Sequence, residues 1–526
     1  MTTYLAVPIS AQELDLAKRQ AGEAVAAGAE MLELRTDYLD DLKPDSVVAL
    51  IAAIRNTGPR RVPVLVTCRD PREGGAGAHS EGLRRRVLRA AVEAGVDFVD
   101  LEYANFIRPE FGHRAETVLA AHLATRLILS THNFRGRFRG LEALHRRMTQ
   151  ACPAAIPKLV YTASHINDCF EAFDLLHQTQ GDRIVLCMGE AGLISRILAK
   201  KLGGFVTFAS LEEQAATAPG QVTLPTLKDL YRYDAIDADT ELFGVIADPV
   251  GHSMSPAIHN AGFADKGLNK LYLPLLVQGG QKEFDAFLDN VLARPWLGFR
   301  GFSVTIPHKH SALEYVRRKG GFIEPLAEKI GVANTLLIEP RAAGSEPVLS
   351  ACNTDYAGAL DAISQGMGID RSGLRGVPVA VVGAGGVSRA IVAGLTDAGA
   401  KVTIYNRTVE RARELAADFN CVFAGLDELP RLDAELLVNC TSIGMHPYVN
   451  ASPVPPECVK PGMAVFDTVY NPAETLLLKQ AKEKGATAID GVAMFVNQAA
   501  AQFKWFTGQP ANTGLMRKAV LDSLRC

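Results

Sequence analysis

Lys158 lies in AAIPKLVYTA, an otherwise apolar stretch where a charged ammonium is costly to bury. A lysine in such a setting loses its proton more readily and becomes a nucleophile toward ketones, forming a Schiff base. It could equally snorkel from a strand end to water, and spacing leaves both readings open. His132, in RLILSTHN, is a candidate general base that titrates near neutrality. Glu73, in RDPREGGAG, could orient that imidazole through a ring nitrogen, as a carboxylate does in hydrolase triads. The glycines of the same loop, Gly74, Gly75 and Gly77, read either as a mobile flap over a mouth or as a plain surface loop.

A second set of reactive types follows. In GFSVTIPHK a strand ends at Thr305 and delivers Lys309 just beyond Pro307, while Asn334 and Asp355 sit beside apolar runs in GVANTLLIEP and ACNTDYAG. Lys309 and Asp355 at the edge of a cleft would serve as an acid–base pair for carbonyl–alcohol interconversion; an ordinary salt bridge is the alternative. In GHSMSP, Ser253 and Ser255 place two hydroxyls on one side of a turn, suited to a carboxylate, although N-capping of the next helix is the simpler reading. Gln498, among the apolar residues of GVAMFVNQAAAQFKWF, reads as a buried hydrogen-bonded glutamine.

The glycine cluster VAVVGAGGVSRA, Val379 to Ala390, joins an apolar strand to a helical segment. Gly383 permits the sharp turn, Gly385 lets backbone N–H groups approach a diphosphate, and the helix N-terminus adds positive partial charge. The third position of that fingerprint is Ser388, small but not glycine. The next strand, KVTIYNRT, ends about twenty residues on, where an NAD site places Asp or Glu. Asn406, Arg407 and Thr408 stand there instead. Arg407 can grip a 2′-phosphate, which favours NADP over NAD.

Elements must position these groups. Apolar runs at YLAVPIS, MLELRTD, VPVLVTCR, FVDLEY, RLILSTHN, IPKLVYTA, RIVLCMG and GFVTFAS alternate with amphipathic segments such as AKRQAGEAVAAGAE and LRRRVLRAAVEAG. Eight such repeats predict a (β/α)8 barrel, for which ~250 residues is typical; a doubly wound open sheet is the competitor. Glu33, Arg35, Arg69, Glu102, Ser130 and His132 fall at strand C-terminal ends, which face the active-site mouth of a barrel. One Glu–Arg match reads as a buried pair, but convergence from several strands reads as a site. The acidic YRYDAIDADT then reads as a linker before a new strand in ELFGVIADP. Beyond the glycine cluster, VNCTSIGM and VFDTVYNP end later strands in polar, punctuated loops, as a ligand crevice requires.

Bulk properties narrow the class. A chain of 526 residues exceeds one hydrophobic core, so about two to four domains are expected. With 48% hydrophobic and 21% charged residues and a net charge of −3, nothing argues for nucleic acid or an anionic membrane as partner. Nine cysteines without a CxxC pair fit reduced thiols better than a disulfide framework or a metal site. The N-terminus lacks signal or transit character, and no apolar run reaches the ~18 residues of a membrane span. A soluble cytoplasmic protein is expected.

ELRTDYL, TCRDPREGG, DLEY, STHNF, PKLVYTAS, MGEAGLISR and TAPGQ resemble, in order, the motifs of type I 3-dehydroquinate dehydratase. The resemblance implies that Lys158 forms a Schiff base with the substrate ketone. His132 would remove the adjacent C2 proton and later protonate the departing hydroxyl, with Glu73 positioning it. Glu33, Arg35, Arg69, Arg196, Thr217 and Gln221 would line the substrate, Arg196 holding its carboxylate. Asn133 stands where many members have Asp, and Thr217 where many have Ser. HSMSP, VTIPHK, GVANT, NTD, GAGG, NRT, TSIGM, FDTVYNP and MFVNQAA resemble shikimate dehydrogenase over the second half. That resemblance implies Lys309 and Asp355 as the catalytic pair and Ser253, Ser255, Thr305, Asn334, Tyr470 and Gln498 as shikimate-holding residues. Gly383, Ala384, Gly385, Gly386, Asn406, Arg407, Thr408, Thr441, Met445, Gly491 and Met494 would border NADP(H), with no metal. Ser253 and Thr305 favour shikimate over quinate, whose extra hydroxyl needs room.

The expected organisation is a barrel over residues 1–232, a linker over 233–241, a shikimate-binding α/β domain over 242–352, a Rossmann domain over 353–490 and returning helices over 491–526. Together the halves resemble the bifunctional family that makes 3-dehydroshikimate from 3-dehydroquinate and reduces it with NADPH to shikimate. The rival is a quinate/shikimate dehydrogenase whose barrel is a silent scaffold.

Overall fold

The computed structural model describes residues 2–55, 61–108, 121–340 and 347–524. The chain divides at Thr240/Glu241 into two units. In the first, eight parallel strands run β1 (Tyr4–Ile9), β2 (Met31–Arg35), β3 (Val64–Thr67), β4 (Phe98–Glu102), β5 (Arg126–Asn133), β6 (Ile156–Thr162), β7 (Ile184–Met188) and β8 (Val206–Phe208). Each lies beside its neighbour in sequence, and β8 returns to β1. The backbone N–H of Phe205 donates to the carbonyl of Arg183 at 2.8 Å, which brings β7 against β8 and nearly closes the ring. This is the expected barrel, not the open sheet.

Alternation along each strand sorts the interior into layers. The lowest layer is apolar: Ala6, Met31, Leu65, Phe98, Ile128, Ile156, Ile184 and Val206 pack into one buried cluster. Two residues further along, the same faces carry Glu33, Thr67, Asp100, Ser130 and Lys158, all buried. Two further still stand Arg35, Arg69, Glu102 and His132. The strands are apolar enough to be covered on both faces, and polarity enters only where it faces the mouth.

The stretch after the barrel packs down onto it. Tyr233 is fully buried, Lys200 Nζ donates to the carbonyls of Tyr233 (3.1 Å) and Asp234 (2.9 Å), and Lys201 Nζ donates to that of Ala238 (2.6 Å). Its lack of periodicity reflects side chain–backbone tethering rather than a free linker.

The second unit has two sheets. The first contains β9 (Glu241–Ala247), β10 (Lys270–Leu276), β11 (Phe299–Val304), β12 (Phe322–Ile323), β13 (Thr335–Glu339) and β14 (Val348–Cys352), in the mixed order β10-β9-β11-β13-β14-β12. The second contains β15 (Pro378–Val382), β16 (Lys401–Tyr405), β17 (Val422–Ala424), β18 (Leu436–Asn439), β19 (Ala464–Asp467) and β20 (Thr487–Ile489). Its order, β17-β16-β15-β18-β19-β20, is wholly parallel and doubly wound. The order reverses between β15 and β18, the position where such sheets open a ligand crevice beyond the strand C-termini. Helices Thr354–Met367 and Gly491–Thr507 cross with backbones touching: a Cβ on Gly358 would fall 2.7 Å from the Gln498 nitrogen. Among the described residues no helix is long and apolar enough to cross a membrane.

Candidate active sites

At the C-terminal mouth of the barrel a cleft of about 520 Å³, counting its open entrance, is lined by Glu33, Arg35, Arg69, Glu73, His132, Lys158, Arg196, Thr217 and Gln221. All nine residues expected at one site are therefore brought together. Val160, Leu186, Met188, Phe134 and Phe208 supply apolar wall.

Lys158 does not snorkel. It is 4% exposed, its Nζ lies 3.0 Å from Asp100 Oδ2 and 3.7 Å from Glu33 Oε1, and 4.7 Å over the Phe208 ring. Asp100 also receives both Arg69 terminal nitrogens at 2.9 Å and the Ser130 hydroxyl at 2.6 Å. Burial pushes the Asp100 carboxyl up, but the Arg69 and Lys158 cations outweigh it and hold the group well below the usual carboxylate range. Arg69 reaches Glu102 as well (3.2 Å), and Arg84 joins Glu102 (2.7 Å) to Asp70 (2.8 Å).

One oxygen of Glu73, Oε2, accepts from the His132 backbone N–H at 2.9 Å and lies 3.1 Å from Nδ1 of the same residue. This fixes the ring and leaves Nε2 for the cleft. Burial, with Arg69 and Lys158 nearby, holds the imidazole well below its ordinary value, so it is neutral at pH 7. Burial pushes Glu73 up to about 7, against the pull of Arg69.

The remaining lining groups divide by how much of their hydrogen-bonding capacity the protein uses. Arg35 is committed to Asp37 through two bonds of 2.9 and 2.7 Å. Arg196 is 2% exposed, and its Nε and Nη2 have no protein partner; burial pulls the guanidinium down to about 10. Gln221 accepts from Thr217 through Oε1, while its buried Nε2 is unpartnered. An orphaned guanidinium and an orphaned amide donor beside a lysine form a socket for a carboxylate and a hydroxyl.

The glycine loop differs from a flap. Gly74 has φ +86°, and a Cβ on Gly75 would fall 2.2 Å from the Arg69 carbonyl oxygen. Crowding against the strand end demands these glycines. Gly75 N–H donates to the Asp70 carbonyl at 3.0 Å, and Ala76 N–H to Asp37 Oδ2 at 3.0 Å.

In the second unit Lys309 Nζ lies 2.6 Å from Asp355 Oδ2, with side chains 24% and 13% exposed. Asn353 caps the helix that carries Asp355, accepting the Asp355 N–H at 3.0 Å. Asn334 spends its whole amide on the protein. Its Nδ2 donates to Asp355 Oδ1 (2.9 Å) and Thr354 Oγ1 (3.0 Å), and its Oδ1 accepts from Thr354 N–H (2.8 Å) and Thr335 O–H (2.9 Å). Gln498 is buried and donates to the Phe495 carbonyl at 3.1 Å. Tyr470 is exposed and stacks on Phe495. Ser253 Oγ accepts the Ser255 N–H at 3.3 Å, yet it is not the residue before the helix Ser255–Asp265, and no side chain caps that helix from its N-cap Met254. The Thr305 N–H donates to the Ile246 carbonyl at 3.0 Å, holding the turn before Lys309.

At the switch point Gly383 has φ +110°, and a Cβ there would fall 3.0 Å from Thr441 Cγ2. Gly385 and Gly386 are exposed, with open space where side chains would stand. The Gly385 N–H is taken by Ser388 Oγ at 3.2 Å, so the N–H groups left to meet an anion are the next ones of the helix Gly386–Asp397, which lack intrahelical partners. Ala384 is half-buried beside them, Arg407 and Thr408 are exposed, and Asn406 Nδ2 donates to the Thr408 carbonyl at 2.8 Å. Met445 is exposed, whereas Gly491 and Met494 are buried at the first turn of their helix. These groups fit a dinucleotide carrying a 2′-phosphate. Among the described residues no cluster of His, Cys, Asp and Glu could hold a metal ion.

The chain is 36% identical, over 97% of its length and 83% of the relative's, to a bifunctional 3-dehydroquinate dehydratase/shikimate dehydrogenase, chloroplastic, of Arabidopsis thaliana. It belongs to that bifunctional family. The family description Type I 3-dehydroquinase matches residues 5–238, the shikimate dehydrogenase substrate binding domain 245–336, shikimate/quinate 5-dehydrogenase 369–460 and the shikimate 5′-dehydrogenase C-terminal domain 491–521. A shikimate dehydrogenase (NADP(+)) of Methanosarcina acetivorans is 39% identical over 54% of this chain and 99% of its own. A crystal structure of a shikimate dehydrogenase in complex with NADP+ covers 55% of this chain and 97% of its own at 36% identity and a TM-score of 0.49. Within this bifunctional chain the residues overlooked from sequence are Asp100 and Arg84. Asp100 shares the inward parity of Glu102, two places on in FVDLEY, which was the available signal; Arg84 hides in the charge run LRRRVLR.

Proposed function

We propose that the chain catalyses two consecutive reactions: dehydration of 3-dehydroquinate to 3-dehydroshikimate in the barrel, and NADPH-dependent reduction of 3-dehydroshikimate to shikimate in the second unit. The observation that carries this reading is Lys158 buried against Asp100, beside the His132–Glu73 pair and the unpartnered Arg196. With that set assembled, a silent-scaffold barrel has no support.

In the barrel, the Arg196 guanidinium takes the substrate carboxylate and the Gln221 amide a hydroxyl. Lys158 Nζ gives one proton to His132 Nε2 and attacks the ketone carbon; the carbinolamine oxygen then leaves as water with that proton, which gives an iminium. An ammonium plus a ketone yields an iminium plus water with no change in charge, so Asp100 faces one positive charge before and after. His132 Nε2 takes the C2 proton, and the electrons pass into the iminium to form an enamine. The enamine expels the C1 hydroxyl, which leaves as water with the proton from His132. Hydrolysis of the iminium releases product and restores Lys158.

In the second unit, Ser253, Ser255, Thr305, Tyr470 and Gln498 hold the substrate. Gly386 and the following N–H groups take the diphosphate, and Arg407 with Thr408 takes the 2′-phosphate. NADPH, when bound, supplies hydride to the ketone carbon. Lys309 Nζ gives the carbonyl oxygen its proton, and Asp355, 2.6 Å away, holds Nζ in place; Asn334 fixes Asp355. The reading assigns small-molecule partners and a cytoplasmic setting, in keeping with the unbridged thiols of the described cysteines.

Borohydride with 3-dehydroquinate should trap a reduced adduct on Lys158, and NADP+ should be reduced faster with shikimate than with quinate. An unlabelled barrel would sink the dehydratase assignment, and faster turnover of quinate would sink the second substrate.

A further inference from the structure

Beneath the crevice of the second unit lies a carboxylate that neither proposed chemistry uses. Asp467 ends β19 and faces Asn439, the end of β18 and its register partner. Both are 0% exposed. Asp467 Oδ1 accepts from Asn439 Nδ2 (2.8 Å) and from the Val469 N–H (3.1 Å), and Oδ2 accepts from the Thr475 hydroxyl (2.6 Å). All three partners are neutral. Keeping an ion in such a place is expensive, so the geometry must require an acceptor here, one that takes the Asn439 amide and the Val469 N–H on a single oxygen.

The requirement is visible one bond further out. Because Asn439 Nδ2 is drawn to Asp467, Asn439 Oδ1 must face the other way, where it accepts both the N–H (2.9 Å) and the O–H (2.7 Å) of Thr441. An amide turned over would point its NH2 at the Thr441 N–H. Thr441 in turn accepts the Ile443 N–H at 3.2 Å and stands against Gly383 of the phosphate turn. On the other side, Val469 precedes Tyr470, and Thr475 caps the helix Leu476–Glu483. The His446 N–H also meets the Asn471 carbonyl at 3.0 Å. One buried carboxylate thus ties the loop bearing Thr441 and Met445 to the loop bearing Tyr470.

We propose that Asp467 is a positioning residue of the dehydrogenase. Through the orientation of the Asn439 amide it holds the cofactor-side loop and the substrate-side loop in mutual register. The inference rests on the proposed NADP-dependent reaction at this crevice.

The test uses the full chain, its Asp467→Ala variant, which removes the acceptor, and its Asp467→Asn variant, which keeps one. In Asp467→Asn the amide oxygen still accepts from Asn439 and Val469, and its NH2 donates to the Thr475 hydroxyl, which turns to accept. NADP+ binding is followed by fluorescence titration, shikimate oxidation by steady-state kinetics, and unfolding by calorimetry. Without an acceptor at 467 the Asn439 amide loses its partner, which predicts a rise in the Kd and KM for NADP+ of about tenfold or more in Asp467→Ala. Its Tm should fall, since Asn439 Nδ2 and the Val469 N–H are left buried without that acceptor, whereas the Tm of Asp467→Asn should hold. Asp467→Asn should stay within about threefold of the parent. Should Asp467→Ala fail to fold, Thr475→Val removes one donor alone and should raise the KM for shikimate. A parent chain that binds no NADP+ would overturn the functional reading itself. A parent that binds, with Asp467→Ala within about twofold of it or with Asp467→Asn as impaired as Asp467→Ala, would overturn this one.

Discussion

Replacing Arg196 with Met should make the barrel more stable and the dehydratase much worse. The guanidinium is 2% exposed with Nε and Nη2 unpartnered, and burial draws it from 12.5 to about 10. At about 1.36 kcal/mol per tenfold change, the charge costs the fold about 3 kcal/mol. That cost is present at every pH below about 10, because folded and unfolded chains both carry the proton there. It is relieved only as pH climbs toward the unfolded value, where the unfolded chain binds more protons. Methionine keeps the length and apolar bulk of the arginine stem and removes the charge. For a domain of this size, ~3 kcal/mol corresponds to a rise in Tm of roughly 6–12 °C, measured by calorimetry on the full chain. The same substitution deletes the carboxylate's partner, so the KM for 3-dehydroquinate should rise about 30-fold or more. A Tm lowered by several degrees, or a KM within about twofold of the parent, would refute the idea that an idle charge is held ready for the substrate.

Two further outcomes follow from the same geometry. Glu73, pushed up to about 7 by burial, must be ionised to steady His132, so dehydratase kcat should fall as pH drops through about 7, and Glu73→Gln should lose that limb while turning over about a hundredfold more slowly. The stability sign is opposite: a carboxyl raised in the folded state favours the fold below pH 4.5 and loses that contribution as pH rises through about 7; an acid limb unchanged in Glu73→Gln would remove the assignment. Arg407→Ala should raise the KM for NADPH by about 10- to 100-fold and leave that for NADH nearly unmoved, and an equal effect on both would place the 2′-phosphate elsewhere.

What could be read from the chain was whatever interrupts a strong pattern. Parallel strands covered on both faces are apolar runs, so Lys158 and Glu33 stood out within them and the barrel followed from eight repetitions. Asp100 interrupts its strand just as plainly, but its importance lies in Arg69 and Lys158, which arrive from other strands. Arg84 belongs to a helical run of arginines of which one face alone is buried, and no spacing rule says which member turns inward. Gly75 shows the limit differently: a glycine placed by crowding against Arg69 has the same letter as one placed for mobility. Asn334 was visible as a polar residue beside a strand, whereas the saturation of its amide by Thr335, Thr354 and Asp355 depends on packing between β13 and a helix twenty residues on.

Both sites contain a lysine–aspartate pair, and the surroundings decide that the pairs do different chemistry. Asp100 is held through both oxygens by Arg69 and again by Ser130. Taking a proton from Lys158 would forfeit charge-assisted bonds on every side, so Asp100 acts as a fixed counter-ion that suits an ammonium and an iminium equally. With the Lys158 side chain 5% exposed, the amine has little to react with except what the cleft admits. Asp355 has one ionic partner, Lys309, and its other oxygen accepts from the neutral Asn334 amide. A proton passing between Lys309 and Asp355 disturbs a single contact. Lys309, 24% exposed, can recover that proton from water after each reduction. Nucleophile and proton donor are thus separated by what else binds the aspartate and by how much water reaches the lysine. Exchanging the lysines for arginines should extinguish both activities, because neither the amine nucleophile nor an exchangeable ammonium survives in a guanidinium.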